Sequence, residues 1–103
     1  MMKIFRNPDV MWREEDEFKE QAYKGLGTGE DVAEIGTSIL LHAGRMHSLN
    51  ILGTEIWKLC DNRTIEEIVS ALRQSFDVEE DVLREDVIEF LKNMKEEGLI
   101  HEE

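Results

Sequence analysis

The nineteen residues from Asn50 to Ile68 constrain the fold most. They read Asn-Ile-Leu-Gly-Thr-Glu-Ile-Trp-Lys-Leu-Cys-Asp-Asn-Arg-Thr-Ile-Glu-Glu-Ile. Leu52, Ile56, Leu59 and Cys60 recur at helical spacing, which predicts a short helix with one buried stripe. Asp61-Asn62-Arg63 stops it, and Asn is one of the few non-glycine residues that tolerates the left-handed conformation of a helix C-cap. Thr64 then opens a second helix as N-cap. Glu67, three residues on, completes a Thr-x-x-Glu capping box. The expectation is a pair of helices joined by a three-residue reversal with Asn62 at positive φ, the local frame of a helix-turn-helix.

Upstream, two stretches read as strands around a turn. Ile35 to His42 contains an uninterrupted Ile39-Leu40-Leu41, expected to be covered on both faces. Ala43-Gly44 supplies the turn. Arg45 to Asn50 returns, with Met46, Ser48 and Asn50 on one face and His47, Leu49 and Ile51 on the other. Val10 to Arg13, anchored by Trp12, makes a third candidate strand. Between them lies an acidic insert at about 14–34, with a marginal helix over Glu14–Tyr23 and a loop at Gly25, Gly27 and Gly29. That G-x-G-x-G follows no strong strand, opens no helix and sits in a negative field, so it is not a dinucleotide fingerprint. Residues 1–9 read as a flexible arm. Downstream, Ile65, Ile68, Val69, Leu72 and Phe76 predict one amphipathic helix. Leu83, Val87, Phe90, Leu91 and Met94 predict the last, closed by Gly98. The predicted fold class is α+β: a small winged-helix-like domain over 10–103, with a three-stranded antiparallel sheet followed by three helices.

Composition narrows the function. The 103 residues carry 24 acidic against 12 basic side chains, a net charge of −12, which repels phosphate-rich partners. From Thr64 to Glu97 the cations are Arg73, Arg84, Lys92 and Lys95, far outnumbered by carboxylates. This weighs against the alternative of a winged-helix DNA binder, which shares the helix pair and the wing. The single Cys60 cannot form an internal disulfide and lies on an apolar stripe, as expected of a reduced, cytoplasmic protein. No apolar run has the length of a membrane span, and no membrane partner is expected. His42, His47 and His101 share no metal-ligand spacing with one another or with Cys60. Ser38, Ser48, Ser70 and Ser75 lack a His/Asp context for catalysis. No catalytic residue, metal site or cofactor is expected. A structural module that dimerises through a sheet edge remains a third reading.

Several of these residues together resemble the PqqD family, the peptide chaperone of pyrroloquinoline quinone biosynthesis and its relatives, the precursor-peptide recognition elements of ribosomally made, modified peptides. The resemblance is carried by Ser48-Leu49-Asn50, Gly53-Thr54-Glu55-Ile56-Trp57, Cys60 to Ile68, Val87-Ile88-Glu89-Phe90-Leu91 and Gly98-Leu99-Ile100, over roughly residues 35–100. Asn62 stands where the family usually has Gly, and the 14–34 insert is longer and more acidic than the family's turn. The resemblance implies a non-catalytic module that holds a precursor (leader) peptide and presents it to a modifying enzyme, often a radical S-adenosylmethionine (radical SAM) protein. It implies an added strand in a groove between the third strand and the third helix. The peptide-binding residues so implied are Arg45, Met46, His47, Ser48, Leu49, Asn50, Arg84, Val87, Ile88, Leu91, Lys92 and Lys95.

Overall fold

The computed structural model describes residues 2–103, and its elements run in the order β1 (Ile4–Arg6), β2 (Met11–Glu14), α1 (Asp16–Gly27), β3 (Ser38–His42), β4 (Arg45–Leu49), α2 (Ile51–Leu59), β5 (Asp61–Arg63), α3 (Ile65–Leu72), α4 (Glu80–Glu96) and β6 (Ile100–Glu102). Among the described residues there are thus four helices and two antiparallel three-stranded sheets, an α+β fold. The chain divides into two compact units. One is Pro8–Glu55; the other joins the chain up to Asn7 with Ile56–Glu103.

The first unit is built on a local hairpin. Ala43 and Gly44 have φ of 51° and 75°, the doubly left-handed loop whose twist matches two antiparallel strands. It sets the register Leu41 opposite Met46, Leu40 opposite His47 and Ile39 opposite Ser48. Strand β2 adds on the far side of β3, with Met11 opposite Leu41 and Arg13 opposite Ile39. The sheet order is β2-β3-β4, built from the three strands expected from the sequence.

Helix α1 replaces the expected marginal helix and glycine loop with twelve continuous residues. Asp16 and Glu17 lie in its first turn and Lys24 in its last, each complementing the helix dipole. Ala22 is fully buried. At Gly25 a Cβ would fall 2.5 Å from Val32 Cγ1, so that glycine serves a close approach and not a flexible loop; of Gly25, Gly27 and Gly29, Gly29 alone, just beyond the helix, has positive φ. Tyr23 Oη donates to Glu55 Oε1 at 2.7 Å. Three hydroxyls, Thr37, Ser38 and Thr54, form a fully buried cluster with both contacts to Thr54 Oγ1 at 2.7 Å. They join the start of β3 to α2 and satisfy one another where water is absent. Asn50 lies just past β4 and caps α2, its Oδ1 accepting from the Gly53 N–H at 2.9 Å.

The second unit contains the larger departures from the sequence reading. The stretch read as an arm carries β1, the central strand of the order β5-β1-β6. Ile4 pairs with Arg63 on one side and Glu102 on the other, and is 1% exposed. Asp61-Asn62-Arg63, read as a bare reversal, forms β5, while Asn62 has the expected positive φ, 58°. Both strands are three residues long and find partners far away in sequence, so neither has a period for pattern reading to detect. Arg6 Nη1 donates to the carbonyls of Trp57 and Lys58 at 3.2 and 2.7 Å, satisfying acceptors that a helix end leaves open. Its guanidinium lies 5.9 Å from the ring centroid of the fully buried Trp57.

Thr64 and Glu67 make the expected capping box, with bonds of 3.2 and 3.0 Å. Ile68, Val69 and Leu72 of α3 and Leu83, Val87, Leu91 and Met94 of α4 are buried. The last helix ends as expected at Gly98, φ 75°. Leu99 N–H bonds Met94 O and Gly98 N–H bonds Lys95 O, both at 3.0 Å, a Schellman closure.

Candidate functional site

Strand β4 is an edge of its sheet. A two-residue loop closes on a hydrogen-bonded pair, here His42 and Arg45, and bonding then alternates along the strand. Arg45, His47 and Leu49 turn their backbone groups toward β3; Leu49 O accepts from Thr37 N–H at 2.7 Å. Met46 and Ser48 therefore aim their N–H and C=O at the side with no further strand in the sheet.

The side chains alternate in the same way. Ser38, Leu40 and Leu49 share the buried face. On the opposite face Met11, Leu41 and Met46 lie in one row across the three strands and are 71%, 47% and 69% exposed. Met11, Ile39, Leu41 and Met46, with Trp12 and Arg13, line a shallow depression of about 350 Å³. The sequence reading covered Ile39-Leu40-Leu41 on both faces; the structure covers only the face of Leu40. A signal for this exists in the sequence, since Met11 and Met46 fall on one face, but it is readable only once the register of β2 on β3 is known.

The expected site residues thus fall into distinct environments. On β4, Arg45, Met46 and Ser48 are exposed, His47 is half-buried and Leu49 is buried. Asn50 is half-buried and occupied as a cap. On α4, Val87 and Leu91 are buried, whereas Ile88 is 45% exposed and Lys92 and Lys95 are exposed. The i, i+4 spacing sets Arg84, Ile88 and Lys92 along one helix face, with Lys95 a turn beyond. Arg84 holds Glu66 through two bonds, Nε at 3.1 Å and Nη2 at 2.6 Å, and reaches Glu80 at 3.3 Å. Its guanidinium is raised further above its ordinary value, and the bond it makes lowers Glu66. Lys95 pairs with Glu102 at 3.5 Å. Two of the cations among the implied peptide-binding residues are therefore already matched by carboxylates.

The groups that could suggest chemistry are otherwise disposed. Burial pushes the Cys60 thiol up to about 12, against the lowering pull of Arg6 and Arg63, which removes the thiolate that a nucleophile needs. His101 stacks on Phe5 with centroids 5.5 Å apart. Among the described residues no three His, Cys, Asp or Glu side chains are grouped to hold a metal ion, and no helix is long and apolar enough to cross a membrane.

A small α+β module with a bare, five-residue strand edge is the class that fold and edge define. The chain belongs to the PqqD family: the family described as coenzyme PQQ synthesis protein D (PqqD) matches residues 37–100. The fold is similar to that of a solved structure, TbiB1 in complex with the TbiA(beta) leader peptide, with a TM-score of 0.70, 21% identity and 94% of each chain covered. No curated protein is matched by the chain.

Proposed function

We propose that this protein is a non-catalytic peptide-binding chaperone that holds the leader part of a ribosomal precursor peptide by strand addition and presents it to a modifying enzyme. The observation that carries this reading is the β4 edge, where Met46 and Ser48 point backbone donors and acceptors away from β3 while their side chains stay exposed. An extended peptide paired there gains main-chain hydrogen bonds, and its alternate side chains supply selectivity. The family supports a peptide ligand, as does the leader peptide bound by TbiB1. We assign the enzyme served to the radical SAM class on the family resemblance, and place the protein in the cytoplasm, where ribosomal peptides are made. The exposed residues of α4, Ile88, Lys92 and Lys95, are the second set the reading assigns to the peptide. The net charge of −12 argues against a nucleic-acid role.

The test is a titration of the labelled protein with the leader of a short precursor encoded beside its gene. Amide shifts are expected to move in residues 45–50 and 84–95 and to stay still in 64–75. Movement confined to 64–75, or none at all, sinks the reading. On α4 the informative variant is Ile88→Asp, which should weaken binding in a folded protein; Leu91→Asp buries a charge and reports only on folding.

A further inference from the structure

The row Met11–Leu41–Met46 ends at the open edge of β4. In an antiparallel ladder, residues directly opposite each other put their side chains on the same face. A peptide residue paired opposite Met46 therefore becomes the fourth member of this row, beside the depression lined by Met11, Ile39, Leu41 and Met46. Its neighbours in the peptide point to the other face, that of Leu40 and His47. We infer that this outer depression is a specificity subsite, taking one large apolar side chain of the bound peptide at the position opposite Met46. The inference rests on the strand-addition reading.

The lining suits that occupant. Two methionines supply unbranched, adaptable side chains that mould around leucine, phenylalanine or another methionine without requiring one shape. Three exposed apolar side chains contiguous across a sheet suit a contact surface, and the continuity of the row with the strand edge selects a residue of the added strand as what covers it. The subsite makes the peptide read on both faces of the sheet, so apolar positions one residue apart have separate requirements. It also separates the two components of recognition: the β4 backbone accepts any extended chain, whereas the depression discriminates.

The experiment uses a phage-displayed library of random peptides, selected in parallel on the purified parent chain, on Leu41→Lys and on Ser48→Pro. Leu41 is exposed on the middle strand, opposite Met46, and its side chain is no part of the backbone ladder, so the variant is expected to fold, as checked by circular dichroism. The parent should enrich peptides with a large apolar residue at one fixed position. Leu41→Lys should bind those peptides about tenfold more weakly and shift that one position toward Asp or Glu, leaving the flanking preferences in place. Ser48→Pro should enrich none of them. If Leu41→Lys selects the same residue as the parent while Ser48→Pro selects nothing, the subsite is wrong and strand addition stands. If Ser48→Pro keeps the parent's peptides, or the parent enriches no peptide, strand addition fails and the subsite with it. A parent that sediments as a dimer which Leu41→Lys dissociates would give the depression to a second copy and overturn the assignment.

Discussion

The two sheets of this protein have the same size and opposite edges. In β5-β1-β6 the outer strands are Asp61–Arg63 and Ile100–Glu102, three residues each and bearing charged side chains. Short, charged edges deter further pairing. In β2-β3-β4 the last strand has five residues, with Met46 and Ser48 exposed on it. Only one of the two sheets ends in a strand of five residues, the edge that the proposed strand addition uses. Under the proposed function, the difference also separates stability from binding. The β1 sheet is central to its unit through the buried Ile4, while Met46 and Ser48 on the β4 edge are exposed and can be altered with little buried surface at stake.

The largest expected effect tests the closed sheet. Ile4→Asp places an unpaired charge at a position 1% exposed and should cost more than about 4 kcal/mol, enough to abolish the cooperative transition in a urea melt. Ser48→Pro tests the open one. It removes an outward-facing N–H, so the fold should persist, with a loss below about 1 kcal/mol at an edge position, while binding of the leader peptide should vanish in calorimetry. A Ser48→Pro variant that unfolds would show that the edge is structural, and the contrast would collapse. A third test concerns β5. Asn62 has φ 58°, so Asn62→Val should cost about 1 kcal/mol or more, whereas Asn62→Gly should be neutral or slightly stabilising; equal melting of the two variants would remove the argument. The smallest effect is on pH. The Glu67 carboxyl is held below its ordinary 4.5 by the backbone N–H of Thr64 first and by the Thr64 hydroxyl second. Because the folded value lies below the unfolded one, its stabilisation is fully present above the unfolded value and fades as pH falls through the folded one. Glu67→Gln should therefore flatten the acid side of the stability curve, read as urea midpoints between about pH 3 and 6, and leave peptide binding unchanged.

The same contrast explains what the sequence made legible. The β3–β4 hairpin, the Thr64 capping box, the positive φ of Asn62 and the Gly98 closure depend on residues a few positions apart, and each appears as read. The β1 sheet depends on Ile4 meeting Arg63 and Glu102, a pairing between three-residue segments that carries no periodic signature. At the candidate site, the edge strand and its alternation were readable. The open outer face was not, because Ile39-Leu40-Leu41 is equally apolar whether one face is covered or two, and only the register of Met11 on Leu41 decides it. The matching of Arg84 by Glu66 and of Lys95 by Glu102 was also hidden, since both partners come from other elements.

The central place of β1 sets an order of events during synthesis. Strand β1 precedes the other described strands in the chain, so it leaves the ribosome before its two neighbours, β5 and β6, which follow much later. The β3–β4 hairpin needs only the residues from Ser38 to Leu49, and a hairpin forms in about 1–10 microseconds. A nascent chain can therefore complete the strand that would accept a peptide while Ile4 still waits, apolar and unpaired, for Ile100 to Glu102 to leave the exit tunnel. Slow translation or truncation near the C-terminus should for that reason expose β1 to aggregation while leaving the hairpin formed.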